Sequence, residues 1–330
     1  AGIDGTLVLV TNGTYLITNQ ISITNGVTVT GVNGASNTVV KRTGAAKSRI
    51  FYLSHPGAAL DGLTITNGNE TFAGGVYIRK RAEIIADIGG ALRNCAINGN
   101  SADNYGGGVY VWYGGLMENC SISGNTVPGQ WYGGGGVYGG TLRNCVIQGN
   151  RNTAMYTYGG GTRDASLRGC LVVGNTSKEA NSYGGAVYGG NLDNCTVCGN
   201  WGWTNGGVYN AGFVTNSIVA FNSAAIASTC TNIGPGIGAA RFTCSPDLVN
   251  GTNGNITADP LFKNPGLGYG WLNSNGNFRL QPGSPCLNAG TNLPWMLMGT
   301  DLLGKKRIAA AVVDMGAYEL PPGGTIFVAH

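Results

Sequence analysis

A nine-residue motif recurs along this chain: residues 142–150 are LRNCVIQGN and residues 92–100 are LRNCAINGN. Related copies surround Cys120, Cys170 and Cys195, so five cysteines follow one another at intervals of 25 residues. Self-similarity at one period over five copies indicates a repeat protein. A period of this length, made of short strands and tight turns, predicts one coil of a parallel β-solenoid.

The alternation within the motif predicts which side chains face the interior. The first position, Leu92 or Leu142, is apolar and the next is charged, as expected for a strand with one buried face. The alternation then slips, because the cysteine and the Ile or Val two residues later are both apolar. A corner in the left-handed conformation at the slip position explains this, since Asn and Gly tolerate that conformation best. The predicted corner ladder is Asn94, Asn119, Asn144, Gly169, Asn194 and Asn216.

Composition favours an all-β chain and excludes several classes of protein. Glycine accounts for 59 of the 330 residues, 10% of residues are charged, and the net charge is +4. This fraction of charged residues is too low for a disordered polyelectrolyte or a nucleic-acid-binding tail. The chain has no apolar run of the length a membrane-spanning helix needs. Abundant Gly, Asn, Thr and Val, with few helix-favouring stretches, exclude a helical or α/β enzyme.

The recurring Gly-Gly-x-Val-Tyr and Asn-Cys-x-Ile-x-Gly-Asn patterns resemble those of bacterial secreted right-handed parallel β-helix proteins. These include pectate-lyase-like surface proteins and the repeats of polymorphic outer-membrane proteins. Residues 258–262, 283–286 and 314–319 resemble the way many secreted members end. The resemblance, with the right-handed bias of parallel crossovers, implies a single-stranded right-handed parallel β-helix of about ten to twelve coils. It implies no single function, since such solenoids carry lyases, glycosidases, adhesins and fibre subunits.

Three regions are predicted along the chain. Residues 1–223 are expected to form the regular parallel β-helix, and residues 224–264 an irregular insertion. Residues 265–330 are expected to add further coils and a terminal strand after the Pro321-Pro322 break. No composition shift indicates a separately folded second domain.

The nine cysteines fall into three groups. The five at the regular spacing are predicted to be buried packing thiols, because stacked parallel side chains are poorly oriented for disulfides and no zinc-ligand pattern accompanies them. Cys230 and Cys244 flank an irregular loop, and a disulfide between them would stabilise a secreted chain by about 3 kcal/mol. Cys198, in an outward slot, and Cys286 are candidates for a free thiol or an intermolecular bond. The interior ladder is Cys95, Cys120, Cys145, Cys170 and Cys195.

Aromatic residues crowd the glycine-rich corners of consecutive coils, so they are expected to align on one flank of the solenoid. Two interpretations stay open. The aromatic flank is either a platform for sugar rings or another subunit, or a cover for bare glycine-rich backbone. The candidate patch is Trp112, Tyr113, Trp131, Tyr132, Trp201 and Trp203.

No catalytic constellation emerges from the sequence. The two histidines, His55 and His330, accompany no triad motif, and the fifteen acidic residues are scattered rather than clustered. Glu83 and Asp87, beside the basic residues 79–81, are the remaining candidates for a sugar or ion site. We therefore predict no enzymatic activity, no metal and no cofactor.

The leading hypothesis about function depends on the two ends of the solenoid. An open end of a solenoid has unpaired strand edges, and these promote association with other chains unless a cap covers them. In this chain an apolar strand is predicted already at residues 7–10. A head-to-tail contact that does not close produces a filament. The predicted assembly strand is Thr325, Ile326, Phe327 and Val328.

We therefore expect an extracellular or cell-surface structural protein that assembles with itself head-to-tail into a filament or surface layer and has an adhesive role. One alternative is a polysaccharide-active enzyme or glycan-binding β-helix that uses the aromatic flank. Another is an autotransporter-like adhesin passenger. The expected partners are further copies of the chain, and glycans in the alternatives. Neither a nucleic acid nor a membrane span is expected.

Overall fold

The computed structural model describes residues 3–79, 89–226, 231–270 and 276–321. The chain winds as a parallel β-solenoid with four sheets, numbered here 1 to 4 in the order in which a coil visits them. Neighbouring strands in each sheet come from successive coils and pair in parallel. The all-β solenoid and its period near 25 residues are confirmed. Sheet 2 has nine strands, so there are about nine coils rather than ten to twelve.

The first two sheets meet at the predicted asparagine corner. Sheet 1 consists of Leu7–Val10, Thr28–Gly31, Ala59–Asp61, Ala91–Arg93, Leu116–Glu118, Thr141–Arg143, Ser166–Arg168, Asn191–Asp193, Phe213–Thr215 and Ala239–Arg241. Sheet 2 consists of Gly13–Ile17, Thr38–Arg42, Thr64–Thr66, Ala96–Asn98, Ser121–Ser123, Val146–Gln148, Leu171–Val173, Thr196–Cys198 and Ile218–Ala220.

The other two sheets complete each coil. Sheet 3 consists of Asn69–Phe72, Ser101–Tyr105, Thr126–Val127, Arg151–Asn152, Thr176–Ser177, Trp201–Gly202 and Ser223–Ala224. Sheet 4 consists of Ile21–Ile23, Phe51–Leu53, Val76–Arg79, Val109–Trp112, Val137–Tyr138, Thr162–Arg163, Val187–Tyr188 and Val208–Tyr209. Outside the solenoid lie an antiparallel pair, Phe262–Asn264 with Asn277–Leu280, and the short 3₁₀ helices Thr252–Gly254 and Pro294–Leu297.

The interior is built from columns of identical or similar side chains. Leu92 pairs in register with Met117 and then Leu142, and all three are fully buried. The five thiols of the cysteine ladder are each at most 2% exposed and belong to the same apolar core. Each cysteine Sγ lies close to the carbonyl two residues before it, as for Cys95 with Arg93 O at 3.1 Å. Burial raises the pKa of the Cys145 and Cys195 thiols, so these groups stay protonated and pack as small apolar residues.

The corner between sheets 1 and 2 has the backbone conformation that the sequence pattern requires. The asparagines of the corner ladder have φ between 47° and 53°, and Gly169 has φ of 63°. Because only Gly and Asn adopt this region at low cost, the corner explains why the apolar alternation slips there.

The C-terminal segment, residues 259–321, differs from the expectation of further coils. Its antiparallel pair lies against the outer face of sheet 2 and forms a second apolar cluster there. The physical reason is that the outward positions of sheet 2 become apolar in the later coils. These positions hold Ser121 and Ser123 in one coil, but Leu171 and Val173 two coils later. The cluster includes Leu171, Val173, Cys198, Ile218, Phe262, Phe278, Leu280 and Met315.

This packing changes the environment of the remaining cysteines. Cys198 does point outward from sheet 2, but the C-terminal segment covers it completely. Cys286 is fully buried too, so neither candidate is an accessible thiol. Cys244 is a buried free thiol whose Sγ is 3.3 Å from Ala258 O, while Cys230, its expected partner, lies outside the described residues. The described part of the chain contains no disulfide.

Candidate functional site

Sheet 4 presents a column of tyrosines on its outer surface. In the Val-Tyr strands the valine points into the core, so the next side chain points outward and stacks on its equivalents in neighbouring coils. Tyr77 and Tyr110 stack with ring centroids 5.0 Å apart and an interplanar angle of 16°. The first column is Tyr52, Tyr77, Tyr110, Tyr138, Arg163, Tyr188 and Tyr209.

A second column runs beside the first, where the chain passes from sheet 3 to sheet 4. Its positions are Phe72, Tyr105, Gly133, Tyr158 and Tyr183. Rings of the two columns touch, with Tyr105 and Tyr138 centroids 4.8 Å apart and Tyr183 and Tyr209 centroids 4.9 Å apart. The two columns together form a continuous surface, called the tyrosine face below.

Arg163 occupies the middle of the tyrosine face in place of a tyrosine. Its guanidinium carbon lies 4.7 Å from the Tyr158 ring centroid, 5.5 Å from that of Tyr138 and 5.6 Å from that of Tyr105. Gly133 leaves the space for it, since the second column has no side chain there. A Cβ at Gly133 would lie 1.8 Å from Tyr158 O, so the backbone itself demands glycine.

The surrounding rings hold the Arg163 cation by cation–π attraction. Its Nη1 donates to Trp131 O at 3.5 Å, and its Nε lies 3.4 Å from Asp164 Oδ2. The side chain remains 18% exposed, so a charged donor is available at the centre of the face.

Four of the six predicted patch residues join this face. Trp112 packs edge-on against Tyr110 and touches Tyr113, while Tyr132 packs edge-on against Tyr105. Trp131 stacks on Tyr156 with centroids 4.3 Å apart. Trp112, Tyr113 and Trp131 are 49%, 68% and 57% exposed.

The other two tryptophans lie elsewhere. Trp201 is in sheet 3, where Gly270 of the C-terminal segment approaches it. Among the described residues, neither Trp201 nor Trp203 makes a ring contact with another aromatic side chain. The aromatic flank is therefore centred on tyrosines of sheet 4, which the tryptophan-based prediction missed. The Val-Tyr repeat was the signal in the sequence that could have located it.

Three aromatic residues at the edge of the face, two of them exposed, have strained backbones. Tyr113, Trp131 and Tyr156 have φ of 72°, 67° and 58°. This conformation costs a bulky residue about 1–2 kcal/mol, and such strain concentrates at functional sites. The strained turn at Tyr113 holds its ring at a cleft of about 290 Å³, which is also lined by Tyr110, Val111, Trp112 and Tyr138.

Four phenols of the tyrosine face have a raised pKa and are neutral at physiological pH. Burial raises the pKa of Tyr77, Tyr110, Tyr138 and Tyr188 above the ordinary value. Their hydroxyl groups therefore remain available both as hydrogen-bond donors and as acceptors. The face thus offers apolar ring surface, neutral hydroxyls and one guanidinium.

Several candidates from the sequence fall outside the described residues. They are Glu83, Asp87, Cys230 and the assembly strand Thr325–Val328. In the described ranges, no three His, Cys, Asp or Glu side chains are grouped to hold a metal ion. The same ranges contain no helix that is long and apolar enough to cross a membrane.

Comparison of the sequence with family models and with curated proteins gives no match. Comparison of the structure finds the crystal structure of pectate lyase Pel9A, with a TM-score of 0.51 at 15% sequence identity. The alignment covers 97% of this chain and 89% of that one. This chain is a parallel β-helix protein. At this identity the likeness concerns the fold, so the functional argument depends on the tyrosine face itself.

Proposed function

We propose that this β-helix protein binds an extended polysaccharide along the tyrosine face. The observation that carries the proposal is the cleft in which exposed Trp112 and Tyr113 lie beside buried Tyr110 and half-buried Tyr138. Trp131 and Arg163 lie in the adjoining coils. Packing within the chain does not explain why aromatic rings in strained turns are exposed, whereas binding of a ligand does.

The chemistry of the face matches that of a glycan. Ring faces stack on the apolar C–H face of a sugar, while phenol hydroxyls and the Arg163 guanidinium bond to its oxygens. The first column spans six rung intervals of about 4.8 Å, or about 29 Å, so a linear chain could lie along it. One solved structure with a similar fold is that of a pectate lyase, and this agrees with a glycan as the ligand class.

Binding is tested by titrating the protein with a panel of neutral and acidic polysaccharides in isothermal calorimetry and affinity electrophoresis. Trp112→Ala and Trp131→Gly remove exposed rings, and glycine suits the positive φ at residue 131. Each substitution is expected to weaken binding about tenfold, as loss of an aromatic anchor does. Phe213→Ala is the matched control, because Phe213 is an exposed aromatic residue of sheet 1, away from the face.

Two results would contradict the proposal. One is the absence of binding to every glycan in the panel, and the other is binding that both tryptophan variants retain. An extracellular or cell-surface location belongs to the same proposal, and fractionation of the source cells tests it.

A second proposal, head-to-tail assembly, is favoured by the first coil. Leu7, Leu9 and Leu16 there are 58%, 62% and 64% exposed, and strand Leu7–Val10 pairs with a neighbour on one side. A further copy stacked on this end would cover them. Light scattering and negative-stain microscopy of the native protein should show filaments that Leu9→Lys and truncation after Leu320 abolish. Discrete rods in all samples would refute assembly and leave the glycan proposal standing.

A further inference from the structure

A second cleft lies away from the tyrosine face, where the C-terminal segment crosses sheet 1 near the asparagine corner. Its volume is about 400 Å³. One side is the outward row of sheet 1, and the other is the chain around the 3₁₀ helix Pro294–Leu297. The lining residues are Glu118, Asn119, Arg143, Asn144, Arg168, Trp295, Met298, Gly299 and Thr300.

The charges in this cleft are unevenly paired. Glu118 lies between two arginines, with Oε1 3.3 Å from Arg143 Nη1 and Oε2 3.5 Å from Arg93 Nε. Arg168 is paired only loosely, its Nε lying 3.9 Å from Asp193 Oδ2. The lining therefore holds two guanidinium groups against one carboxylate, and that carboxylate is already engaged by arginines on both sides. The lining residues therefore carry a net positive charge, and the two guanidinium groups are its charged hydrogen-bond donors.

The opposite wall adds an indole ring. The Arg168 guanidinium carbon lies 6.0 Å from the Trp295 ring centroid, and Asn144 Nδ2 donates to Thr300 Oγ1 at 3.2 Å. The Trp295 Nε1–H is shielded from solvent and has no acceptor among the described residues. Because this donor is not accessible to solvent, a ligand in the cleft cannot reach it, and the indole offers the cleft only its ring surface.

We propose that this cleft binds a sugar residue carrying a tetrahedral oxyanion, either a sulfate or a phosphate ester. Arg143 and Arg168 lie on successive coils, about 4.8 Å apart along the axis. A planar carboxylate fits the fork of a single arginine, whereas a tetrahedral group offers three oxygens and can bridge two. Trp295 provides the apolar surface against which the sugar ring packs. This site is on sheet 1 and is independent of the proposed glycan face on sheet 4.

The test is calorimetric titration of the full chain with glucosamine 6-sulfate, glucose 6-phosphate, glucuronate, glucose and inorganic sulfate. The two esters are expected to bind, and to bind at least about tenfold more tightly than glucuronate or glucose. Comparison of the two esters identifies which oxyanion is preferred. Weaker binding of inorganic sulfate than of the sulfated sugar is expected, because the free ion does not contact the indole.

Variants decide whether the cleft is the binding site. Arg168→Gln and Arg143→Gln are each expected to weaken ester binding about tenfold, and both side chains are exposed enough for the fold to tolerate the change. Arg151→Gln, an exposed arginine of sheet 3, is the matched control. The proposal is overturned if neither ester binds at concentrations up to about 10 mM, if glucose or glucuronate binds equally well, or if binding survives both cleft substitutions. Loss of polysaccharide binding in Trp112→Ala with ester binding intact would separate the two sites.

Discussion

Gly169 takes the corner position that asparagine holds in the neighbouring coils, and the C-terminal segment explains the exchange. A Cβ at Gly169 would lie 2.5 Å from Asn144 Oδ1 and 3.2 Å from Arg307 Nη2. Arg307, fully buried, reaches this corner from the C-terminal segment and donates to Asn194 O at 3.2 Å. The guanidinium thus occupies the space that an asparagine side chain would fill.

Gly169→Asn is therefore expected to destabilise the protein by about 1–3 kcal/mol, although asparagine suits the φ of this corner. Equilibrium urea unfolding measures the change. Asn119→Gly is the control at an equivalent corner that the segment leaves exposed, and it should change stability by less than about 0.5 kcal/mol. Equal effects at the two positions would show that Arg307 does not determine residue 169.

A second asparagine ladder lies inside the solenoid, after the next corner. Asn150 Nδ2 donates to Ile122 O and to Asn175 Oδ1, and its Oδ1 accepts from both the backbone N–H and Nδ2 of Asn125. The coils from Asn100 to Asn222 repeat this arrangement, so the backbone groups that turn inward at these corners are satisfied by the neighbouring coil. The ladder comprises Asn100, Asn125, Asn150, Asn175, Asn200 and Asn222.

Asn150→Ala should cost about 3 kcal/mol, because it leaves buried donors of Asn125 and the carbonyl of Ile122 without partners. The midpoint of thermal unfolding measured by circular dichroism would report this loss. Gln148→Ala, at an exposed position two residues earlier in the chain, should leave the midpoint nearly unchanged. A small shift for Asn150→Ala would mean that water replaces the lost amide.

At the scale of elements, the C-terminal segment contains a buried network of ionisable side chains, and Arg307 joins this network to the solenoid by donating to Asn194 O. Arg307 Nη1 donates to Glu319 Oε1 at 3.2 Å, and Glu319 Oε2 accepts the Asp314 N–H at 3.2 Å. Burial outweighs the attraction of Arg307 and raises the pKa of Glu319 to about 8. Burial raises the pKa of Asp314 as well.

The network predicts a pH dependence with a definite sign. Between pH 4.5 and about 8, native Glu319 keeps a proton that the unfolded chain releases. The free energy of unfolding should therefore fall as pH rises through this window, by up to about 1.4 kcal/mol per pH unit for this group. Urea unfolding at a series of pH values measures the slope, and Glu319→Gln should reduce it. A wild-type stability that is flat or rises across this window would contradict the raised pKa.

At the scale of the whole molecule, the C-terminal segment turns an apolar outer face of sheet 2 into a second core. Cys198 reports on this packing because it lies outward on its strand and belongs to the apolar cluster that the segment covers. Ending the chain after Asp259 should expose Leu171, Val173 and Ile218, and the truncated solenoid should self-associate.

Thiol labelling with peptide mapping tests this packing. Cys198 should be unreactive in the intact protein and should be labelled in the truncated one, while the interior thiols at Cys145 and Cys170 stay protected. Phe278→Asp, which weakens docking and keeps the full chain, should give an intermediate labelling rate. Rapid labelling of Cys198 in the intact protein would show that the segment does not stay docked.

Periodicity was sufficient to predict the solenoid, its interior leucine column and the left-handed asparagine corner. These features arise within one coil and its equivalent 25 residues away, so a local pattern contains them. The Val-Tyr repeat contained the signal for the tyrosine column. The predicted patch was based mainly on tryptophans, which lie at the edge of the face or away from it. The position of Arg163 among rings from several coils could not be predicted, because it depends on how the outward side chains of neighbouring coils pack against one another.

The path of residues 259–321 was likewise beyond the repeat pattern. The outward positions of sheet 2 change from polar residues to Leu171 and Val173. This change predicts an apolar surface, but it does not specify which part of the chain covers that surface. Burial of Arg307 beside Gly169, and the cleft between Trp295 and the arginine row, depend on contacts across more than a hundred residues. A periodic sequence specifies its own stacking because each coil is the template for the next. A non-periodic segment finds its place only through surfaces that exist once the solenoid has formed.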